Sequence, residues 1–352
     1  MIEFLHRLYD VFAEYFGEVT PRSLTDNFST AYQLMEEMMD NGHPIITEPN
    51  ALQTLIAPPS LAGKIGAFIA GGKASNVSET LGEGAMSIIP WRRAGVKYAA
   101  NEIYFDITEE VDAIYESNGV LVSSDVRGTI TCKSHMSGTP DLTLIFNSPG
   151  VIEDCAFHPC VRYGRWERES VVSFVPPDGP FTLMTYRLND RAPQTPLVCR
   201  PAVSWRGDGT GRASFALITK PTMARSGSGG APAPEAAIED VRLIVSFPRA
   251  VKSTDLAADV GAVATDGRTG ELTWHLRAIP RDKTPELAGN IFLPPASPAP
   301  IEPVHATLHY TVGNANVSGL NVRDLMLVGG EKYAFFKGVR LATKSGRVQI
   351  RT

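Results

Sequence analysis

Cysteine is scarce: Cys132, Cys155, Cys160 and Cys199 are the four in 352 residues. Small secreted folds need a denser set for a disulfide framework, and no signal-peptide pattern precedes these four, so a reducing cytosol is the expected compartment. Long apolar runs are also lacking. The run Ile65 to Ala70 falls far short of the roughly 20 residues that span a bilayer, so any membrane contact is expected to be peripheral. There is no basic surplus either, since 33 Lys and Arg face 38 Asp and Glu, for a net charge of -5. Phosphate recognition depends on excess cation that displaces counterions, so no nucleic-acid partner is expected.

The signatures of catalysis are missing as well. Gly72-Lys73 sits in a glycine-rich stretch, but Ala74 replaces the Ser/Thr of a phosphate loop and Ala67 its first glycine. Gly207, Gly209 and Gly211 fall between strand-like runs rather than ahead of a helix, which excludes a dinucleotide fingerprint. No Gly-x-Ser-x-Gly elbow joins a strand to a helix, and the carboxylates are scattered. Cys155-Ala-Phe-His158-Pro-Cys160 has the residue types of a zinc knuckle, yet a structural site needs four ligands in two spaced pairs and the other cysteines are isolated. Neither an enzyme, a metal nor a cofactor is expected.

What is present is ample material for a core: 43% hydrophobic residues, with 31 Gly and 26 Pro to punctuate it. Ile2 to Phe16 places Leu5, Leu8, Phe12 and Tyr15/Phe16 on one helical stripe, stopped by Gly17. A second helix is expected from Leu24 to Asp40, with Ser23 and Asp26 as a cap pair and Phe28, Tyr32, Met35 and Met39 on one face, ended by Gly42. A third runs from Thr47 and Pro49 to Ile56. Short amphipathic helices are marginal alone, and the first 60 residues offer no evident packing partner, so a sheet ahead of them is expected in a longer gene product. The three parts expected are a helical unit at 1–56, a linker at 57–89 rich in Pro, Gly, Ser and Ala, and a β module at 90–352.

In the β module, alternating runs are separated by turn dipeptides, which predicts an antiparallel sandwich. Asn118-Gly119 between Val111–Tyr115 and Val120–Val126 is the clearest hairpin signal. Pro177-Asp178-Gly179, Asp208-Gly209-Thr210-Gly211 and Thr269-Gly270 mark further turns, and Val241–Phe247 and Ala306–Val312 further strands. Arg225–Ala237 and Pro294–Pro303 read as surface loops. From Arg323 onward seven Lys/Arg face only Asp324 and Glu331, a local excess suited to an acidic membrane or a peptide.

Dispersed motifs carry a family resemblance. Trp91-Arg-Arg-Ala-Gly-Val-Lys-Tyr98, Asn101-Glu-Ile-Tyr-Phe-Asp106, Ser137-Gly-Thr-Pro-Asp-Leu142, Phe157-His-Pro-Cys160, Ser173-Phe-Val-Pro-Pro-Asp-Gly179, Tyr186-Arg187 and Ser318-Gly-Leu320 resemble the mu homology domain of adaptor-complex medium (mu) chains. Phe157-His-Pro-Cys-Val-Arg162 with Arg165-Trp-Glu167, and Gly330-Glu-Lys-Tyr333 with Gln349-Ile-Arg-Thr352, are most similar to the mu subunit of the third adaptor complex (AP-3). Glu3-Phe-Leu-His-Arg7, Tyr15-Phe-Gly17, Asp26-Asn-Phe28 and Asp40-Asn-Gly42 resemble the second half of that family's longin domain.

The resemblance implies a mostly β fold, an elongated antiparallel β-sandwich preceded by a short α-helical remnant of a longin domain. It implies a medium subunit that reads Tyr-x-x-Φ sorting signals, Φ being a bulky apolar residue, in cytosolic tails of membrane cargo. The partners implied are those tails, two large adaptins and a small sigma subunit. The place implied is cytoplasmic, peripheral on Golgi and endosomal membranes and coated vesicles, with transport toward lysosome or vacuole. The family's tyrosine pocket maps onto Tyr104, Asp106, Lys133 and Arg340. Its Φ pocket maps onto Phe105, Val322, Leu325, Gly338 and Val339, with Gly338 standing where the endocytic pattern has Trp.

These residue types suit a pocket for tyrosine, since an aromatic ring and a guanidinium stack on a phenol and a carboxylate accepts a hydrogen bond from its hydroxyl. Tyr104 and Asp106 alternate with Phe105, so they share one face of a strand. Two other readings stay open: a structural coat or scaffold subunit without cargo reading, and a peripheral module that binds phosphoinositides through the basic C-terminal stretch.

Overall fold

A computed structural model describes residues 2–56, 58, 89, 91–93, 95–188, 195–206, 208–220, 224–225, 237–279, 283–294, 297–300 and 302–351. The expected linker and the loop Arg225–Ala237 lie almost wholly outside the described residues.

Helix α1 spans Ile2–Phe16 and stops at Gly17, whose φ of 79° lets its N–H turn back to the Ala13 carbonyl. The expected second helix is in fact two, α2 at Pro21–Asp26 and α3 at Phe28–Met38. Thr20 starts α2 with a capping box: its hydroxyl accepts the Ser23 N–H (3.1 Å), Ser23 Oγ accepts the Thr20 N–H (2.9 Å), and Pro21 follows. That box replaces the Ser23/Asp26 pair expected. Asn27 then leaves helical geometry and ties its Nδ2 to the Ser23 carbonyl at 2.8 Å.

The inward face of α3 is not the one expected. Phe28 and Tyr32, expected inside, are 64% and 71% exposed, and Thr30, Ala31, Leu34 and Met38 are buried instead. Leu5 of α1 is likewise on the outside, with Val11, Phe12 and Tyr15 within. Helix α4, Pro49–Leu55, completes the cluster with Leu52 and Ile56. The helices thus bury one another, which corrects the expectation that this segment has no packing partner of its own. The small Thr30 and Ala31 on the inner face suit close contact between α1 and α3.

Among the described residues, three larger sheets and a two-stranded one, Ala224–Arg225 with Ala315–Asn316, build the rest. The largest has nine strands in the order Ala262–Thr265, Leu272–Ala278, Ile238–Ser246, His305–Gly313, Phe336–Arg351, Glu102–Tyr115, Leu121–His135, Gly179–Leu188 and Ile152–Phe157. Neighbours run antiparallel except the central pair, Phe336–Arg351 against Glu102–Tyr115, which is parallel. The expected hairpin turns at Asn118-Gly119: Gly119 has a φ of 81°, and the Asn118 side chain accepts the Val120 N–H at 2.8 Å. Smaller sheets of three (Val322–Val328, Asp141–Phe146, Val171–Phe174) and four strands (Ser253–Ala258, Glu286–Phe292, Thr210–Thr219, Leu197–Trp205) complete the sandwich.

There are two β cores, and the long central strands serve both. Ile103, Phe105 and Ile107 enter one core and Ala113 and Tyr115 of the same strand enter the other. Leu341 and then Val348 and Ile350 do likewise from the last strand. Strands of 14 and 16 residues that feed two cores in series make the sandwich elongated.

Candidate functional site

Strand alternation sets the site. In Glu102–Tyr115, Phe105 is fully buried while Tyr104 and Asp106 point outward. Register does the rest: Tyr104 lies between Lys133 and Gly338, and Asp106 between Thr131 and Arg340. Tyr104, Asp106, Lys133 and Arg340 therefore share one outer patch, as expected. Arg340 Nε is 3.8 Å from Asp106 Oδ1, with the side chains 77% and 51% exposed, so water screens the pair and leaves both groups available.

The Tyr104 ring lies over Gly338, where a Cβ would stand 2.5 Å from Tyr104 Cδ1. The ring leans on Phe336, with centroids 5.7 Å apart, and its hydroxyl donates to Glu102 Oε2 at 2.9 Å. That hydrogen bond, with some desolvation, raises the Tyr104 pKa above its usual value. Glu102 and Phe336 are members of the patch that sequence reasoning missed. The period-two series Glu102, Tyr104, Asp106 was the available signal for the first; Phe336 needs the parallel pairing.

The apolar set lies on the other side of the sheet. Phe105, Val322 and Leu325 are buried in one core, with Val339 half-buried against it. Gly338, expected among them as a wall, stands instead on the outer face with Tyr104. Gly338, between Lys337 and Val339, follows the strand's alternation, and the Tyr104 ring fills the space that a side chain there would take.

Between the two sets runs a free stretch of backbone. Phe336 N–H bonds to the Asn101 carbonyl, and the neighbouring strand His305–Gly313 first pairs with the last strand at Ala342. On a parallel ladder, alternate residues face opposite sides, so the N–H and C=O of Lys337 and Val339 turn away from the Glu102 strand. No strand among the described residues pairs with that side. An extended peptide added there would place residues of opposite parity on opposite faces. A tyrosine and the residue three further on have opposite parity, matching an outer patch and an inner apolar set.

The remaining candidates resolve otherwise. The four cysteines are free thiols, and no group of His, Cys, Asp and Glu suited to a metal occurs among the described residues. Burial pushes the Cys132, Cys160 and Cys199 thiols up, away from reactivity. The basic C-terminal strand faces acids across the sheet, Arg340 opposite Asp106 and Lys344 opposite Glu110.

The model of the "Adaptor complexes medium subunit family" matches residues 89–352. The chain belongs to that family. The "Clathrin adaptor complex small chain" model matches residues 1–57, in keeping with the longin resemblance of the helices. AP-3 complex subunit mu of Dictyostelium discoideum is 38% identical over 355 residues, covering 100% of this chain and 81% of that protein. This bears out the resemblance to the third adaptor complex. A homology model of the full-length AP-3 complex in an intermediate open conformation shares the fold, with a TM-score of 0.57 at 16% identity over 99% of this chain and 80% of its own. The yeast delta-COP-I mu-homology domain complexed with a Dsl1 WxWxV peptide does so at a TM-score of 0.50 and 13% identity, over 72% of this chain and 100% of its own. The mostly β medium-subunit fold is that expected. No helix among the described residues is long and apolar enough to cross a membrane.

Proposed function

We propose that this medium subunit works in an AP-3-type adaptor complex and reads Tyr-x-x-Φ signals in cytosolic tails of membrane cargo. The observation that carries the reading is the unpaired edge at Lys337 and Val339, flanked outside by Tyr104, Asp106, Lys133 and Arg340 and inside by Phe105 and Val339. Backbone pairing along the edge supplies affinity, and the two faces supply specificity. Asp106 accepts the phenolic hydroxyl, while Arg340 and Tyr104 flank its ring. Phosphotyrosine is excluded by size and by repulsion from Asp106.

The partners in this reading are two large adaptins and a small sigma subunit, with the complex peripheral on Golgi and endosomal membranes and cargo moving toward lysosome or vacuole. A four-residue motif buries little area, so a Kd of ~1 to 100 μM is expected, and avidity on a coated membrane makes such weakness useful. The test is titration of a Tyr-x-x-Leu peptide and its Tyr-to-Ala control on wild type and Asp106→Ala. Binding only of the tyrosine peptide, and its loss in the folded variant, supports the reading. Equal binding of both peptides rejects cargo reading and leaves a scaffold subunit.

A further inference from the structure

The run Phe157-His158-Pro159-Cys160 has no part in the unpaired stretch at Lys337 and Val339, yet its histidine is almost fully buried. His158 Nδ1 accepts the Cys160 N–H at 3.1 Å, so the ring proton sits on Nε2. Nε2 in turn lies 3.5 Å from Oε2 of Glu48, which belongs to the helical unit. Both side chains are shielded, at 4% and 14% exposure.

Glu48 is the N-cap of α4, but its side chain makes no capping hydrogen bond, and only its backbone carbonyl takes the Ala51 and Leu52 N–H groups. The carboxylate reaches across to His158 instead of capping its own helix. Phe181 packs edge-on against the imidazole, with centroids 5.3 Å apart. Around the pair is a cleft of about 1000 Å³, lined by His6, Tyr9 and Asp10 from α1 and by Pro180 and Thr182 from the sheet.

We infer that Phe157–Cys160 is the docking socket of the helical unit, with Glu48 against His158 as the polar contact that holds the two parts together. A carboxylate and an N–H shielded from water need each other, because either one left unpaired in place loses its hydration as well. When one is removed, separation of the two parts rehydrates the one that remains. Pro180 pairs with Lys133, so the docked unit reaches the strand beside the tyrosine patch, while Tyr104, Phe336 and Arg340 stay exposed. The docked form therefore leaves the sheet edge open.

Amide hydrogen exchange on the full chain tests this with two variants, Glu48→Ala and His158→Phe, the second keeping an aromatic ring against Phe181. Each is expected to speed exchange about tenfold or more on both sides of the contact, in Asn50–Leu55 and in Ala156–Val161. Val241–Val245, in the other β core, serves as the folding control and is expected to keep its protection. Exchange that changes only on the mutated side, or in neither segment, overturns the socket.

Discussion

Gly338 and Tyr104 face each other across the parallel central pair, and the Tyr104 ring occupies the space a side chain at 338 would need. Gly338→Ala places a Cβ 2.5 Å from Cδ1 of the ring. The ring is at the exposed surface and can swing away, so stability is expected to change by less than about 1 kcal/mol. Affinity for a Tyr-x-x-Leu peptide is expected to fall several-fold, and the Tyr104→Ser background is expected to abolish that extra loss. Identical affinities for wild type and Gly338→Ala would show that the ring's placement does not matter to binding.

Glu109 is a buried anchor that ties its strand, Glu102–Tyr115, to Tyr186 of Gly179–Leu188 and to the turn at Val317 and Ser318. Its carboxylate accepts the Tyr186 hydroxyl (2.8 Å), the N–H groups of Val317 (2.8 Å) and Ser318 (3.0 Å), and the Ser318 hydroxyl. Gly128 lets the Tyr186 ring cross the neighbouring strand, since a Cβ there would sit 1.9 Å from Cζ. Glu109→Ala leaves several donors unsatisfied and is expected to cost about 3 kcal/mol or more in urea unfolding. A loss below about 1 kcal/mol would mean that water replaces the carboxylate without penalty.

Thr20 tests the corrected helix start. Thr20→Ala removes one half of the capping box and is expected to destabilise the helical unit by about 1 kcal/mol, read as faster exchange in Leu24–Asp26. Asp26→Ala, which removes the acid once expected to cap, is expected to leave exchange there unchanged.

Alkaline pH should weaken the fold through its buried phenols. Burial raises the pKa of Tyr115, Tyr186 and Tyr310, and the Glu109 carboxylate adds to the effect at Tyr186. The unfolded chain ionises these phenols near pH 10 while the folded chain holds them neutral. Their contribution is therefore fully present below about pH 10 and is lost as pH rises above it. Urea midpoints measured from pH 8 to 11 are expected to be flat at first and then to fall, and Tyr186→Phe is expected to fall less. A midpoint independent of pH to the alkaline limit would contradict the burial of these hydroxyls.

Much was legible in one dimension because the forces involved act over a few residues. Gly17 and Asn118-Gly119 end a helix and turn a hairpin through backbone conformations that only their own neighbours constrain. Alternation alone put Tyr104 and Asp106 on one face and Phe105 on the other, and the dispersed motifs identified the family before any contact was known.

Other features needed the fold, because they depend on which distant segments meet. The inward face of α3 is one residue off the expected one because burial against α1 selected Ala31 and Leu34 over Phe28 and Tyr32. Arg340 comes beside Asp106, and Phe336 beside Tyr104, only through the register of one parallel pair. Glu48, at the N-cap of α4, meets His158 only through the tertiary structure. The sequence by itself determined most of the kinds of element, several turns and the shared face of Tyr104 and Asp106, but not the face of Gly338. Strand order and long-range register, which no local propensity encodes, decided which of those faces meet and left the edge at Lys337 and Val339 open.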